Sequence, residues 1–317
     1  MRLDNLVSLI GGELQNSPSI TQICSFSFRP QQVRRGSLFL VQDPSQIDEA
    51  IKAGAYALVY DKPLRIKDKE IAWIKVPDLH TAALRLVRFL LLQSQIPAVG
   101  ATPLELDLAK ALFHDKKFHI FTNPFTTLHI LQERRARLLL YPAHLEALRL
   151  NTPSLPTIHI HLTQSYLFES SFIFEDRLYE RIRLPKIFLP ALQKLLAIAK
   201  KYGFEPQFGS LESFVHFKPL FVNHTFKPVE FGKSEKVLIL EPNEQLVQME
   251  RDYLQSKASW AKLLFLSSKK LPYLRHYSSI DELKEILYNT PFNFALIHSQ
   301  TLDIATLERP RREQTFF

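Results

Sequence analysis

Glycine is what this sequence withholds. Of 317 residues only eight are Gly, and none falls between Gly100 and Gly203. Phosphate-cradling loops need glycine, because successive backbone N–H groups converge on an anion only where no Cβ stands in the way. The patterns GxGxxG, GxxxxGK before Ser or Thr, and GxSxG are all absent. A standard nucleotide loop or α/β-hydrolase elbow therefore has no place to sit. One stretch still has the frame of such a loop, "IPAVGATPLELDLAKALF", Ile96 to Phe113. An apolar run, Ile96 to Val99, reaches Gly100 and passes into helical spacing, with Leu104, Leu108, Ala111 and Leu112 on one face. Between them the chain reads Gly100-Ala101-Thr102-Pro103-Leu104-Glu105, without Gly-Lys-Ser/Thr.

Length and composition set the outer bounds. A chain of 317 residues, 46% hydrophobic and 23% charged, holds two or three domains with their own cores. The single Cys24 cannot form an intramolecular disulfide, and no charged-then-apolar leader is expected, so the cytoplasm is the expected location. The most apolar run, "LRLVRFLLLQ", is interrupted by Arg85 and Arg88, which argues against a membrane span. The net charge of +8 is scattered; its densest cluster is the tail "RPRREQTFF", with Arg309, Arg311 and Arg312, read as a solvated terminus. Nucleic acid is not an expected partner. The 24 Phe against 10 Tyr and 2 Trp point to filled cores, not to base-stacking platforms.

Along the chain, "RLDNLVSLIGGEL" predicts a short helix with Leu3, Leu6, Leu9 and Ile10 inward and Gly11-Gly12 as its stop. "ITQICSFSF" and "SLFLVQ" predict strands, with Cys24 packed in the core. "DPSQIDEAIKAGA" predicts a helix capped by Asp43 or Ser45 and ended by Gly54. "YALVYDKP", "IAWIKVPD" and the helix "HTAALRLVRFLLLQS" complete a first α/β unit. "TIHIHLTQSYLFESSFIFEDRLYERIRL" alternates with period two in three pieces, an antiparallel hairpin or meander turning at Glu175-Asp176. "PALQKLLAIAKKYG" predicts a helix closed by Gly203. "KVLILEP", "EQLVQMERDYLQSKA", "AKLLFLSS", "SIDELKEILYN" and "FNFALIHS" alternate strand with helix, the pattern of a parallel sheet.

Several of these strings resemble the Mur ligases of peptidoglycan precursor synthesis, in particular the branch that adds D-alanyl-D-alanine. "LVSLIGGEL" is similar to that family's first helix, and "QQVRRGSLFLV" to its "RKVxPGDLFVA". "VPDLHTAALRLVRFLL" resembles the helix before its ATP loop, "RIRLPKIFLPALQKLLAIAKKYG" the end of its central domain, and "HYSSIDELKEILYNTPFNFALIHS" its last helix and strand. The resemblance implies an α/β, three-domain fold: a uridine-nucleotide-type domain over residues 1–95, a truncated central ATPase-like domain over 96–210, and a Rossmann-like C-terminal domain over 211–317. It also implies ATP and Mg²⁺, used by such ligases to make an acyl phosphate that an amine attacks.

The same resemblance identifies what this chain has replaced. Pro103, Leu104 and Glu105 stand where the family carries Gly-Lys-Thr/Ser, so Gly100 and Thr102 remain as a vestigial loop, and a carboxylate there would repel phosphate. "LLYPAHLEA" replaces "EMGANHxGE", with only Ala143-His144 in common. "LEPNEQLVQM" replaces "DDxYNANP", leaving Glu241 and Asn243, and His298 to Thr301 replace "KGSR". Arg29-Pro30-Gln31 replace the Asp-Ser-Arg of the uridine site, which argues against binding of UDP-muramoyl peptide.

Other constellations read as structural. His159 and His161 would share a strand face without a third metal ligand. His114 and His119 flank two lysines at a helix end or loop. Glu105 and Asp107, two apart, cannot pair on a helix. The sequence thus predicts no catalytic residue, cofactor or metal ligand. It predicts a degenerate Mur-ligase-like binding or regulatory module beside cell-wall synthesis enzymes. The alternatives are an active, divergent D-alanyl-D-alanine-adding ligase, with Lys110, Lys116 or Lys117 swung toward Gly100, and a basic nucleic-acid-binding protein.

Overall fold

A computed structural model describes residues 1–148, 150, 154–299 and 304–307. The chain divides into two compact units, Met1–Pro156 with Ile198–Glu205, and Thr157–Ala197 with Pro206–Phe317.

In the first unit, α1 (Leu3–Ile10) ends at Gly11 in the left-handed region, as the Gly-Gly stop predicts. A five-stranded sheet follows, built from β1 (Glu13–Leu14), β2 (Ser25–Ser27), β3 (Ser37–Leu40), β4 (Ala55–Tyr60) and β5 (Ala72–Lys75) in the order β1-β5-β4-β3-β2. Its strands are parallel except for β1. β3 is buried on both faces: Leu38 and Leu40 join one core cluster, Phe39 the other. α2 (Ile47–Lys52) follows a 3-10 turn capped by Asp43, whose Oδ1 accepts the Ser45 N–H at 2.9 Å. α3 (Leu79–Ser94) is capped by Asp78.

The unit continues into a small parallel sheet, β6 (Ala98–Ala101), β7 (Phe118–Ile120) and β8 (Leu138–Pro142), ordered β6-β8-β7, with α4 (Pro103–Leu112) and α5 (Pro124–Gln132). One hydrophobic cluster runs through both sheets, joining Leu6, Leu38 and Val87 to Leu128, Leu139 and Leu148. Across it the Phe26 N–H donates to Gln132 Oε1 at 2.6 Å.

Cys24 departs from expectation. It is exposed, because β2 begins only at Ser25 and Ile23, its neighbour, turns inward in its place. His119 also differs, lying in β7 and not in a loop or at a helix end.

The second unit opens with the predicted meander, β9 (His161–Ser165), β10 (Ser170–Phe174) and β11 (Arg177–Ile182), antiparallel throughout. Glu175 and Asp176 turn the hairpin with φ of 49° and 59°. α6 (Leu189–Tyr202) comes next; its residues from Ile198 on, and Gly203 at φ 70° after it, belong to the first unit. The last sheet contains β12 (Lys218–Val222), β13 (Lys236–Glu241), β14 (Leu263–Ser267), β15 (Arg275–His276) and β16 (Phe294–His298), ordered β12-β13-β16-β14-β15. β12 is its antiparallel edge; the other four are parallel. α8 (Ile280–Asn289) packs Leu283 and Ile286 on the face of Leu238, Leu266 and Ile297. Side chains alternate along a strand, so Ile239 and Glu241 point to the opposite face. α7 (Glu244–Lys257) buries Leu246, Val247, Glu250, Tyr253 and Leu254. The tail arginines Arg309, Arg311 and Arg312, and Gln300 and Thr301 of "HSQT", lie outside the described residues. Among the described residues no helix is long and apolar enough to cross a membrane.

Candidate functional site

The junction between β6 and α4 is where the sequence places a phosphate loop. The strand runs through Gly100 to Ala101 and the helix starts at Pro103, so Thr102 alone connects them. Gly100 pairs with Tyr141 as an ordinary strand residue and has no positive φ. A Cβ added to it would meet Ala143 at 3.5 Å, a normal contact. Glycine's special freedom is therefore not in use at this position.

The α4 N-terminus is closed by its own side chains. The Thr102 N–H donates to Glu105 Oε2 at 2.9 Å, and the Glu105 N–H donates to Thr102 Oγ1 at 3.2 Å, a reciprocal capping box. Glu105 is 8% exposed. A helix N-terminus attracts anions through its unpaired N–H groups and its dipole. Here a resident carboxylate already takes that position, and an arriving phosphate would meet negative charge. ATP and Mg²⁺, which the resemblance implies, do not fit these residues. The lysines proposed as substitutes are no nearer. Lys110 lies in the last turn of α4, 2.8 Å from Asp107. Lys116 and Lys117 precede β7, at the opposite edge of a parallel sheet from the β6 C-terminus.

The other family positions serve packing and capping. Leu139 to Tyr141 are buried in β8, and Ala143 and His144 are exposed beyond it. Arg29 lies over the Phe28 ring at 5.3 Å, and Gln31 Nε2 donates to Glu49 Oε1 at 3.1 Å. His159 and His161 are exposed, and among the described residues no group of three or more His, Cys, Asp or Glu is arranged to hold a metal.

Sequence reasoning missed a buried polar cluster at the C-terminal ends of β13, β16 and β14, where Glu241, His298 and Ser267 stand in register. Glu241 Oε1 accepts the Asn243 N–H at 2.6 Å and lies 2.8 Å from His216 Nδ1; Oε2 accepts the Phe217 N–H at 3.3 Å. Asn243 Oδ1 in turn caps α7 through the Gln245 N–H at 3.0 Å. The two supposed ligase remnants thus anchor the start of α7. Ser267 Oγ is 3.0 Å from His298 Nδ1, and burial holds His298 below its usual pKa. Glu250, on the inner face of α7, is pushed well above the carboxylate range, first by burial and then by the Glu241 charge. A sequence signal existed: Glu250 falls three or four residues from Leu246, Val247, Tyr253 and Leu254, on the apolar stripe itself.

A mixed sheet, a small parallel sheet entered through a strand-to-helix junction, and a mostly parallel C-terminal sheet define an α/β protein with the fold of the Mur ligases. Among solved structures, MurF from Acinetobacter baumannii is similar over 96% of this chain and 97% of that one, at 11% identity and a TM-score of 0.51. MurF ligase from Thermotoga maritima in complex with ADP is similar over 89% and 96%, at 13% identity and a TM-score of 0.50. No protein-family model matches the sequence, and no curated protein matches it.

Proposed function

We propose that this chain keeps the Mur-ligase frame without ATP-driven ligation and acts as a binding or regulatory module beside the enzymes of peptidoglycan precursor synthesis. One observation carries the reading: the Thr102–Glu105 capping box sits where a ligase of this fold would receive phosphate. The link to cell-wall synthesis rests on the shared fold with MurF structures, one of them solved with ADP. A cytoplasmic location and cell-wall enzymes as partners belong to the same reading.

Calorimetric titration with Mg-ATP and with ADP tests it, together with phosphate release in the presence of UDP-muramoyl tripeptide and D-alanyl-D-alanine. The expected result is no saturable nucleotide binding at millimolar concentration and no phosphate release. Amide formation coupled to ATP hydrolysis would establish an active ligase instead. Affinity capture against purified cell-wall ligases tests the partner assignment, and failure to retain any of them would remove it.

A further inference from the structure

A cavity of about 680 Å³ opens within the second unit, between the β9–β10 turn, the end of β11 and the segments flanking β12. Ligand sites typically occupy roughly 300–1,000 Å³ and combine an apolar lining with a few convergent polar groups. The lining here is largely aromatic. The Phe168 ring lies 5.5 Å from that of Phe217, 6.3 Å from Phe221 and 6.2 Å from Phe294. Two more rings carry this floor outward, Phe231 at 5.2 Å from Phe221 and Trp260 at 6.0 Å from Phe294, both edge-on. Phe231 is 74% exposed and Trp260 76%. Large rings left in water at the mouth of an apolar cavity gain free energy when a ligand covers them.

The cavity is also polarised. Arg183 Nη1 lies 2.9 Å from Glu212 Oε1, while Lys218 Nζ reaches only the Glu212 carbonyl oxygen, at 3.5 Å. Two cations against one carboxylate leave a surplus positive charge on that wall, whereas Arg181 is matched by Glu169 at 2.8 Å. Lys218 and Phe221, three apart in β12, leave opposite faces of the strand, so it is the shared contact with Glu212 that keeps Lys218 beside Arg183 at the cavity wall.

We propose that this cavity binds an amphipathic organic acid, its apolar ring or chain laid on Phe168, Phe231 and Trp260 and its single anionic head at Lys218 and Arg183. The charge count selects a monoanion: a di- or triphosphate would set several negative charges against one surplus cation. The site is built wholly from residues of the second unit, so it stands whichever way the nucleotide question falls.

The test uses the full chain with 8-anilinonaphthalene-1-sulfonate, a ring body with one anionic head, as fluorescent probe. Decanoate and decanol, alike in length and different in charge, serve as competitors. The expected result is one saturable site per chain, displacement by decanoate, and at least tenfold weaker displacement by decanol. Binding also shifts the emission of exposed Trp260, a change absent in Trp260→Phe. Phe231→Ala and Trp260→Ala, both at exposed positions and checked for folding by circular dichroism, each weaken the probe about tenfold. Lys218→Gln brings decanoate down to the level of decanol. Absence of a saturable site, equal displacement by the two competitors on the wild-type chain, or probe affinity untouched by both ring deletions would overturn the proposal.

Discussion

His216 Nδ1 lies 2.8 Å from Glu241 Oε1, and both side chains are shut off from solvent. This contact ties the chain entering β12 to the end of β13, and the same Glu241 carboxylate accepts two backbone N–H groups as well. It also sets the condition of Glu250. Neither Glu250 oxygen has a donor in good geometry, and the polar neighbour that acts on it is the Glu241 carboxylate. A second buried negative charge there would be opposed by both burial and repulsion, so Glu250 holds a proton.

Stability should therefore fall as pH rises above the unfolded glutamate value, near 4.5. The native state retains a proton that the unfolded chain releases, so the contribution is full below that value and is lost toward the raised native pKa. Glu250→Gln keeps a donor facing Glu241 without the titration. Urea unfolding at pH 5 and pH 8 should show the variant gaining on the wild type at pH 8, with the gap closing at pH 5. An unchanged gap would place the proton elsewhere.

His119 gives a slope of the opposite sign. Its Nε2 lies 3.2 Å from Thr127 Oγ1, and burial lowers its pKa from 6.5 to about 4. Between those values the unfolded chain binds the extra proton, so stability is full above pH 6.5 and is lost as pH falls toward 4. The shift corresponds to about 3 kcal/mol at most. His119→Asn should flatten this acid limb, and NMR titration of the imidazole should find it neutral at pH 6.

At the α4 N-terminus, Thr102→Ala removes the side-chain acceptor for the Glu105 N–H and should cost about 1 kcal/mol of stability. Thermal unfolding reads the loss. Calorimetry on the same variant should still detect no Mg-ATP binding, since the Glu105 carboxylate remains.

Two glycines should respond oppositely to alanine. Gly54 has φ of 100°, and a Cβ there would sit 3.0 Å from Arg35 Cα, so Gly54→Ala should destabilise by about 2 kcal/mol. Gly100→Ala meets only ordinary contacts and should change the urea midpoint by less than about 0.5 kcal/mol equivalent. A severe effect at Gly100 would mean that its backbone does more than pair in β6.

Local order was legible where one rule decided the outcome. Gly11, Asp43 and Gly203 ended or capped helices as their chemistry dictates, and the Glu175-Asp176 hairpin and the alternation from β13 to β16 followed from periodicity. Cys24 was misplaced because "ITQICSFSF" reads as one strand, whereas pairing begins only at Ser25. Gly100 was read as a loop residue because a glycine before a helix suggests a turn; its pairing with Tyr141, 41 positions on, settles the matter and is not a local property. The aromatic cavity was hidden for the same reason. Phe168, Phe231, Trp260 and Phe294 come from four separated segments, and a Phe count that suggested filled cores does not reveal which rings remain in water.

The single residue between β6 and α4 bears on how such a chain can change over generations. A longer connection at this junction needs no added residues, only the unwinding of the first turn of α4, and the Thr102–Glu105 box holds that turn shut from both sides. Two reciprocal bonds must go together before the backbone opens, so most single exchanges leave the junction as it stands.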